Sequence, residues 1–328
     1  MKKSFKIFIS YVVGPILFVW LSWSIYRQIQ QQEGLQQSWH SIIAALEGNS
    51  QWRLYISFIL MFFNWGLEAK KWQVLMQAIQ PLGYWRSFRA IFSGQALASS
   101  TPNRVGEYVG RIVYLNDGNR LRALSLSAVG SFAQIIITFL MGLVGLILVH
   151  SNIISKLYHV FSLSTFWINW LVYALSLTVI FQLLCYYNLS WITKLLEKIP
   201  LVAKYSFFIQ KLEDLHNKEL TKILLLSFLR YVVYVLQYLL LFQLFNVDVA
   251  WWQIVSLVCV QLMVMAVVPS IALAELGVRG QVSIALFGLF SNNTIGIIAA
   301  ISGIWLINLI IPALAGSLLI LGIRIFRK

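Results

Sequence analysis

The chain has little charge, and least of all acid. Asp and Glu number 11 in 328 residues, and charged residues of both signs make up 11%, where a soluble domain carries about 25%. Hydrophobic residues reach 59% and the mean hydropathy is +0.78. That balance excludes a water-soluble globular domain and defines an integral membrane protein. Only two cysteines are present. Cys185 and Cys259 both sit in apolar runs without metal-ligand spacing, which reads as two small buried hydrophobes, not a disulfide framework. The four histidines (40, 150, 159 and 216) fall in loops with no His-x-x-x-His grouping, so no metal site is expected. No phosphate-cradling glycine loop of the Walker type occurs. The chain therefore shows no ATP-hydrolysing machinery, and no cofactor is implied.

What is present is apolar length, bounded by positive charge. Lys2, Lys3 and Lys6 precede a run from Ile7 to Tyr26, too long for a signal peptide and without a small-x-small cleavage site, hence a retained first span. Further spans are expected at Arg53–Ala69, Ala123–Val149, Thr165–Tyr187, Lys222–Phe245 and Ile295–Ile323. Thirteen tryptophans and fourteen tyrosines fit interfacial belts. The segment 188–221 mixes lysines with Trp191, Leu195, Phe207 and Phe208. It reads either as an amphipathic connector resting on anionic lipid or as a solvated loop.

Two stretches break the pattern. Between Arg89 and Thr101 the apolar part is ten residues (Ala90–Ser99), worth ~15 Å of helix against a ~30 Å hydrocarbon core. Thr101-Pro102 then offers a helix start, and charge returns at Asp117, Arg120 and Arg122. Residues 86–116 therefore read as a re-entrant hairpin with both ends on one side, its second arm aiming an N-terminal dipole at the midplane. Residues 251–290, broken at Pro269, form a second hairpin. In the first, Arg104, Glu107 and Arg111 share one helical face and Gly106 and Gly110 make a small-xxx-small pair for close helix approach. The second repeats the idea with Glu275, Gly277 and Arg279, though Ala272 stands where Arg104 would.

Counting crossings gives six full spans and two hairpins in a single all-α membrane domain. Residues 1–150 form a first half with a hairpin entering from the cytoplasm. Residues 165–328 form an inverted second half whose hairpin enters from outside. On that scheme 19 of the 25 Lys and Arg residues lie on one face: Lys2, Lys3, Lys6, Lys70, Lys71, Arg86, Arg89, Arg111, Arg120, Arg122, the six lysines from Lys194 to Lys222, Arg324, Arg327 and Lys328. The positive-inside rule makes this face cytoplasmic, with both termini on it. The net charge of +14 thus reflects membrane orientation, and no nucleic-acid partner is expected. Inverted repeats with broken helices are an architecture of alternating-access transporters.

The candidate substrate site is built from Thr101, Pro102, Arg104, Gly106, Glu107, Gly110, Arg111, Arg230, Pro269, Glu275, Gly277 and Arg279. Ionisable residues at membrane depth are costly and point to function, and this set is biased toward an anion such as a lipid phosphate. Structural ion pairing of Glu107–Arg111 and Glu275–Arg279 is the competing reading. Arg230 either snorkels to the cytoplasmic interface or joins the site from behind. Asn64 and Glu68 are positioned to line the same cavity, with Glu68, beside Lys70 and Lys71, read as an interfacial charge.

Around Ser100-Thr101-Pro102-Asn103-Arg104-Val105-Gly106-Glu107 with Arg111, and again at Pro269 and Glu275-Leu276-Gly277-Val278, the chain resembles the lysylphosphatidylglycerol synthase transmembrane region family, also called flippase-like domain proteins. The resemblance runs from the second span to the last. It departs at Pro269–Ala274, where members often carry a glycine-rich stretch. In bifunctional members this domain is thought to move an aminoacylated phospholipid between leaflets while a separate domain makes it. The resemblance implies a stand-alone, non-enzymatic translocator of an anionic phospholipid or lipid-linked glycan in a bacterial-type cytoplasmic (inner) membrane. Its partners would be membrane lipids, with a lipid-modifying enzyme as a possible companion and the oligomeric state left open. Two alternatives remain: a membrane-embedded transferase acting on a lipid carrier, for which Asp117 and Asp248 are isolated and on opposite sides, and a non-catalytic partner of a lipid-modifying enzyme.

Overall fold

The first described helix, α1 (Gln51–Met76), shows how the sequence sorts its faces. Trp52, Tyr55, Ile59, Phe62 and Phe63 stay exposed, while Met61, Trp65, Glu68 and Trp72, spaced at helical repeats, are buried. An exposed stripe of large apolar side chains opposite a buried one is the pattern of a helix between lipid and protein. The computed structural model describes residues 50–99, 104–161, 165–198, 214–268 and 272–321, with residues 23, 40, 43, 48, 101 and 212 besides. The expected first span, Pro102, Pro269 and much of the connector beyond Lys198 lie outside the described residues, as does the side chain of Glu275.

Helices α2 (Tyr84–Ser99) and α3 (Gly106–Ile112) follow. At 16 and 7 residues they measure about 24 and 10 Å, short of a ~30 Å core. They fold back on each other: Arg86 donates to the carbonyl of Tyr114, and Ser93 and the Tyr114 hydroxyl are 2.9 Å apart. A Cβ on Gly110 would stand 2.6 Å from the Gly94 Cα and from the Ser93 oxygen, so the two arms touch backbone to backbone. The expected small-xxx-small contact is therefore made, and its partner is α2.

The long helices are α4 (Arg120–Phe161), α5 (Thr165–Tyr187) and α7 (Asn217–Leu244), with the short α6 (Leu189–Glu197) opening the connector. Then come α8 (Trp251–Val267), α9 (Ala272–Phe287) and the final pair α10 (Thr294–Trp305) and α11 (Ile311–Leu321), joined by a π-helical turn at Leu306–Ile310. No strand occurs among the described residues. Among the described residues four stretches are long and apolar enough to cross a membrane: Asp117–Val149, Asn169–Tyr187, Asn217–Leu244 and Thr294–Ile320. The expected span at Arg53–Ala69 lies on a helix that runs past Lys70 and Lys71 to Met76, and its polar load keeps it out of that set.

Packing is reciprocal. Helix α1 lies along α7; α4 lies along α8, and α11 along α2. Both of the latter contacts are glycine-tight: a Cβ on Gly145 would meet the Ser256 oxygen at 2.6 Å, and one on Gly316 would fall 1.9 Å from the Phe92 oxygen. Close backbone approach of this kind is how membrane helices associate when water cannot drive them together. Helix α5 stands at the periphery, with Phe166, Trp170, Tyr173, Leu177 and Phe181 exposed. Cys185 is half-buried and Cys259 buried, and both are free thiols.

Candidate functional site

The centre of the molecule is a carboxylate that local sequence assigned to an interface. Glu68 is 3% exposed. Its carboxylate lies 2.7 Å from Lys71 Nζ, 3.0 Å from Arg111 and 2.9 Å from Arg230. The helix carries Glu68 and Lys71 on the buried face of α1 because they fall one turn apart and one turn beyond Asn64. Lys71 is 3% and Arg111 4% exposed, so two of the nineteen cations read on the cytoplasmic face are buried within the protein. Sealed charges of this kind are tolerated only when paired, and Glu68 pairs both of them, with the half-buried Arg230 besides.

From Glu68 the network runs into the first hairpin. Arg111 also engages Glu107 and stands over the Trp72 ring with 5.6 Å to the centroid. Glu107 in turn lies 3.8 Å from Arg104, whose guanidinium donates to Gln95 Oε1 at 2.6 Å. The i, i+4 pair expected at Glu107–Arg111 is thus present, within a larger network. Helix α3 is α-helical from Gly106, and Pro102, part of the start expected at Thr101-Pro102, lies outside the described residues. Thr101 acts as a bracket: its hydroxyl accepts from the Gly106 N–H at 2.8 Å and donates to Leu97 O at 3.0 Å. That contact takes up the Gly106 N–H at the start of α3, and Glu107 lies in the helix's first turn. Arg104 precedes the helix at φ 58°, a left-handed conformation that costs an L-residue about 1–2 kcal/mol.

Arg230, from α7, joins the site. Its Nε donates to Asn64 Oδ1 at 2.9 Å and it lies 5.3 Å from the Trp65 ring centre. The Asn64 amide donates in turn to Asn308 Oδ1 at 3.2 Å, and Asn308 occupies the π-helical turn, a distortion frequent at functional sites. Arg279, from α9, donates to the hydroxyls of Tyr234 and Tyr238 at 3.1 and 2.9 Å. Gly277 faces open space, with nothing within 4 Å of a Cβ placed there. Helix α9 therefore does not pack through Gly277 as α3 packs through Gly110.

These residues surround a cavity of about 300 Å³. Arg104, Arg230 and Arg279 all line it, together with the neutral polar side chains of Asn64, Gln134, Thr138 and Asn308. Trp65, Trp305 and Tyr231 give it aromatic walls. Among the described residues no Asp or Glu lines it. Glu68, Lys71, Asn308, Gln134, Gln95, Tyr234 and Tyr238 escaped the site set read from sequence. Gln95, Gln134 and Asn308 had a usable signal, being polar side chains within apolar helices; Lys71 had none. Among the described residues no cluster of His, Cys, Asp and Glu has metal-site geometry.

Long apolar helices packed around a partly open cavity lined by three guanidiniums place this chain among polytopic helical membrane proteins. The sequence model for the lysylphosphatidylglycerol synthase TM region matches residues 7–316, and the chain belongs to that family. No curated protein matches it.

Proposed function

We propose that the protein is a flippase-like translocator that carries an anionic phospholipid or lipid-linked glycan across the cytoplasmic membrane, without covalent chemistry of its own. The observation that carries this reading is the cavity itself: Arg104, Arg230 and Arg279 converge on one polar space from the first hairpin, α7 and the second hairpin. Guanidinium groups are suited to phosphate, and burial makes an anion's binding there stronger than in water.

The reciprocal packing of α4 on α8 and of α11 on α2 supports an inverted repeat, since it pairs each half's last long helix with the other half's hairpin. Both hairpins would be re-entrant, the first from the cytoplasmic side, with the two termini cytoplasmic. A rocking motion of one half against the other would then present the cavity to either leaflet in turn. The test is a proteoliposome assay with a headgroup-labelled fluorescent lipid and a membrane-impermeant quencher. Wild-type protein is expected to raise the quenched fraction above that of the outer leaflet, and Arg279→Gln to abolish the rise. Equal flipping by both would remove the cavity from the mechanism.

A further inference from the structure

The charge balance of the buried network names the headgroup more closely than the family does. Two carboxylates, Glu68 and Glu107, contact four cations, Lys71, Arg104, Arg111 and Arg230, all within 4 Å of one or the other. The network therefore carries an excess of two positive charges. Arg279 adds a further guanidinium to the cavity wall. Lys71 and Arg111 are sealed, with side chains 4% and 5% exposed, while Arg230 and Arg104 reach 24% and 40%. Since Arg104 and Arg230 also line the cavity, the excess surfaces there.

Excess charge partly withdrawn from water is costly until a counter-charge meets it. A phosphodiester headgroup brings one negative charge. A phosphate monoester brings about 1.5–2 at pH 7, and a diphosphate at least as many. A lysyl ester adds ammonium groups, which would face guanidiniums with no described carboxylate on the cavity wall. Gln134 adds a buried amide oxygen without a protein partner on the same wall, an acceptor for a ligand hydroxyl.

We infer that the cavity takes a headgroup with two or more negative charges, a phosphate monoester or diphosphate, in preference to a phosphodiester or an aminoacylated one. This rests on the translocator reading above and narrows its substrate.

The experiment is calorimetric titration of the full chain in detergent with four probes: farnesyl diphosphate, inorganic diphosphate, dihexanoyl phosphatidylglycerol and its lysyl ester. Farnesyl diphosphate is expected to bind at least tenfold more tightly than dihexanoyl phosphatidylglycerol. That preference should fall to less than threefold in Arg104→Gln and in Arg230→Gln. Thermal unfolding of each variant shows whether it is folded; Arg104, the more exposed of the two, guards against loss of fold at Arg230. Tight binding of inorganic diphosphate as well would mean the site reads the group wherever it is carried; binding of the farnesyl ester alone would make the source a lipid. Either supports the inference. Equal affinity for diphosphate and phosphodiester, tightest binding of the lysyl ester, or a preference unchanged in Arg104→Gln would overturn it while leaving a translocator in place. Failure of every lipid probe to bind would overturn the translocator reading as well.

Discussion

Glu68 and Arg230 stand 162 residues apart in sequence, yet Arg230 donates to the Glu68 carboxylate at 2.9 Å. The contact clasps α1 to α7, and through Arg111 it reaches the first hairpin. Its removal leaves two buried cations, Lys71 and Arg111, and the half-buried Arg230 without their shared anion. Glu68→Gln is expected to destabilise the fold by about 3–5 kcal/mol, the usual cost of breaking a buried pair. Thermal unfolding in detergent checks this against Asp117→Asn. Asp117 pairs with Arg120 at 2.8 Å at the surface, and its loss should cost under about 1 kcal/mol.

The glycines of the two hairpins should respond in opposite ways. At Gly110 a methyl group would push into the backbone of α2 at 2.6 Å, where nothing flexible can yield. Gly110→Ala is expected to lower the unfolding temperature and the yield of folded protein. Gly277→Ala meets nothing within 4 Å and should be neutral or stabilising by up to about 1 kcal/mol, from helix propensity alone. A similar penalty at both positions would contradict the close α2–α3 contact.

Arg104 holds a left-handed backbone that glycine adopts freely. Arg104→Gly should therefore keep or raise stability, by about 1 kcal/mol at most, while abolishing lipid flipping in proteoliposomes. Loss of both together would mean that the side chain serves the fold through Gln95 and Glu107 more than it serves the cavity.

Asn64 and Asn308 test the polar seam across the cavity floor. Their mutual hydrogen bond should couple by about 0.6 kcal/mol in a double-mutant cycle, the average for such pairs in membranes. Asn64→Leu is expected to cost more than Asn308→Leu, because Asn64 also accepts from Arg230 Nε.

Helix placement was legible wherever composition alone decides it. The span expected at Thr165–Tyr187 is α5 residue for residue, because twenty-three residues without a charge, a proline or a glycine, most of them apolar or aromatic, leave no competing structure. The hairpin break near Thr101 was visible because ten apolar residues cannot cross and a proline follows. Its detail was not: Thr101 and Pro102 look like a helix start, and only the contact of the Thr101 hydroxyl with both Leu97 and Gly106 shows that it ties two helices together. Glu68 was misread for a similar reason. Beside Lys70 and Lys71 it looks like the end of a span, and nothing local reveals that Arg111 and Arg230 arrive to meet it.

The sequence by itself determined that this chain lives in a membrane, where the spans at Ala123–Val149, Thr165–Tyr187, Lys222–Phe245 and Ile295–Ile323 fall, and that Arg104, Glu107 and Arg111 act together. Those follow from hydropathy, length and helical period, which are local properties. The tertiary structure alone decided which carboxylate sits at the centre, that Lys71 is buried, and that Arg104, Arg230 and Arg279 face one cavity. Charge pairing across α1, α3 and α7 depends on which faces meet, and in a bilayer the choice of faces is made by small residues and backbone contact, which no single helix records.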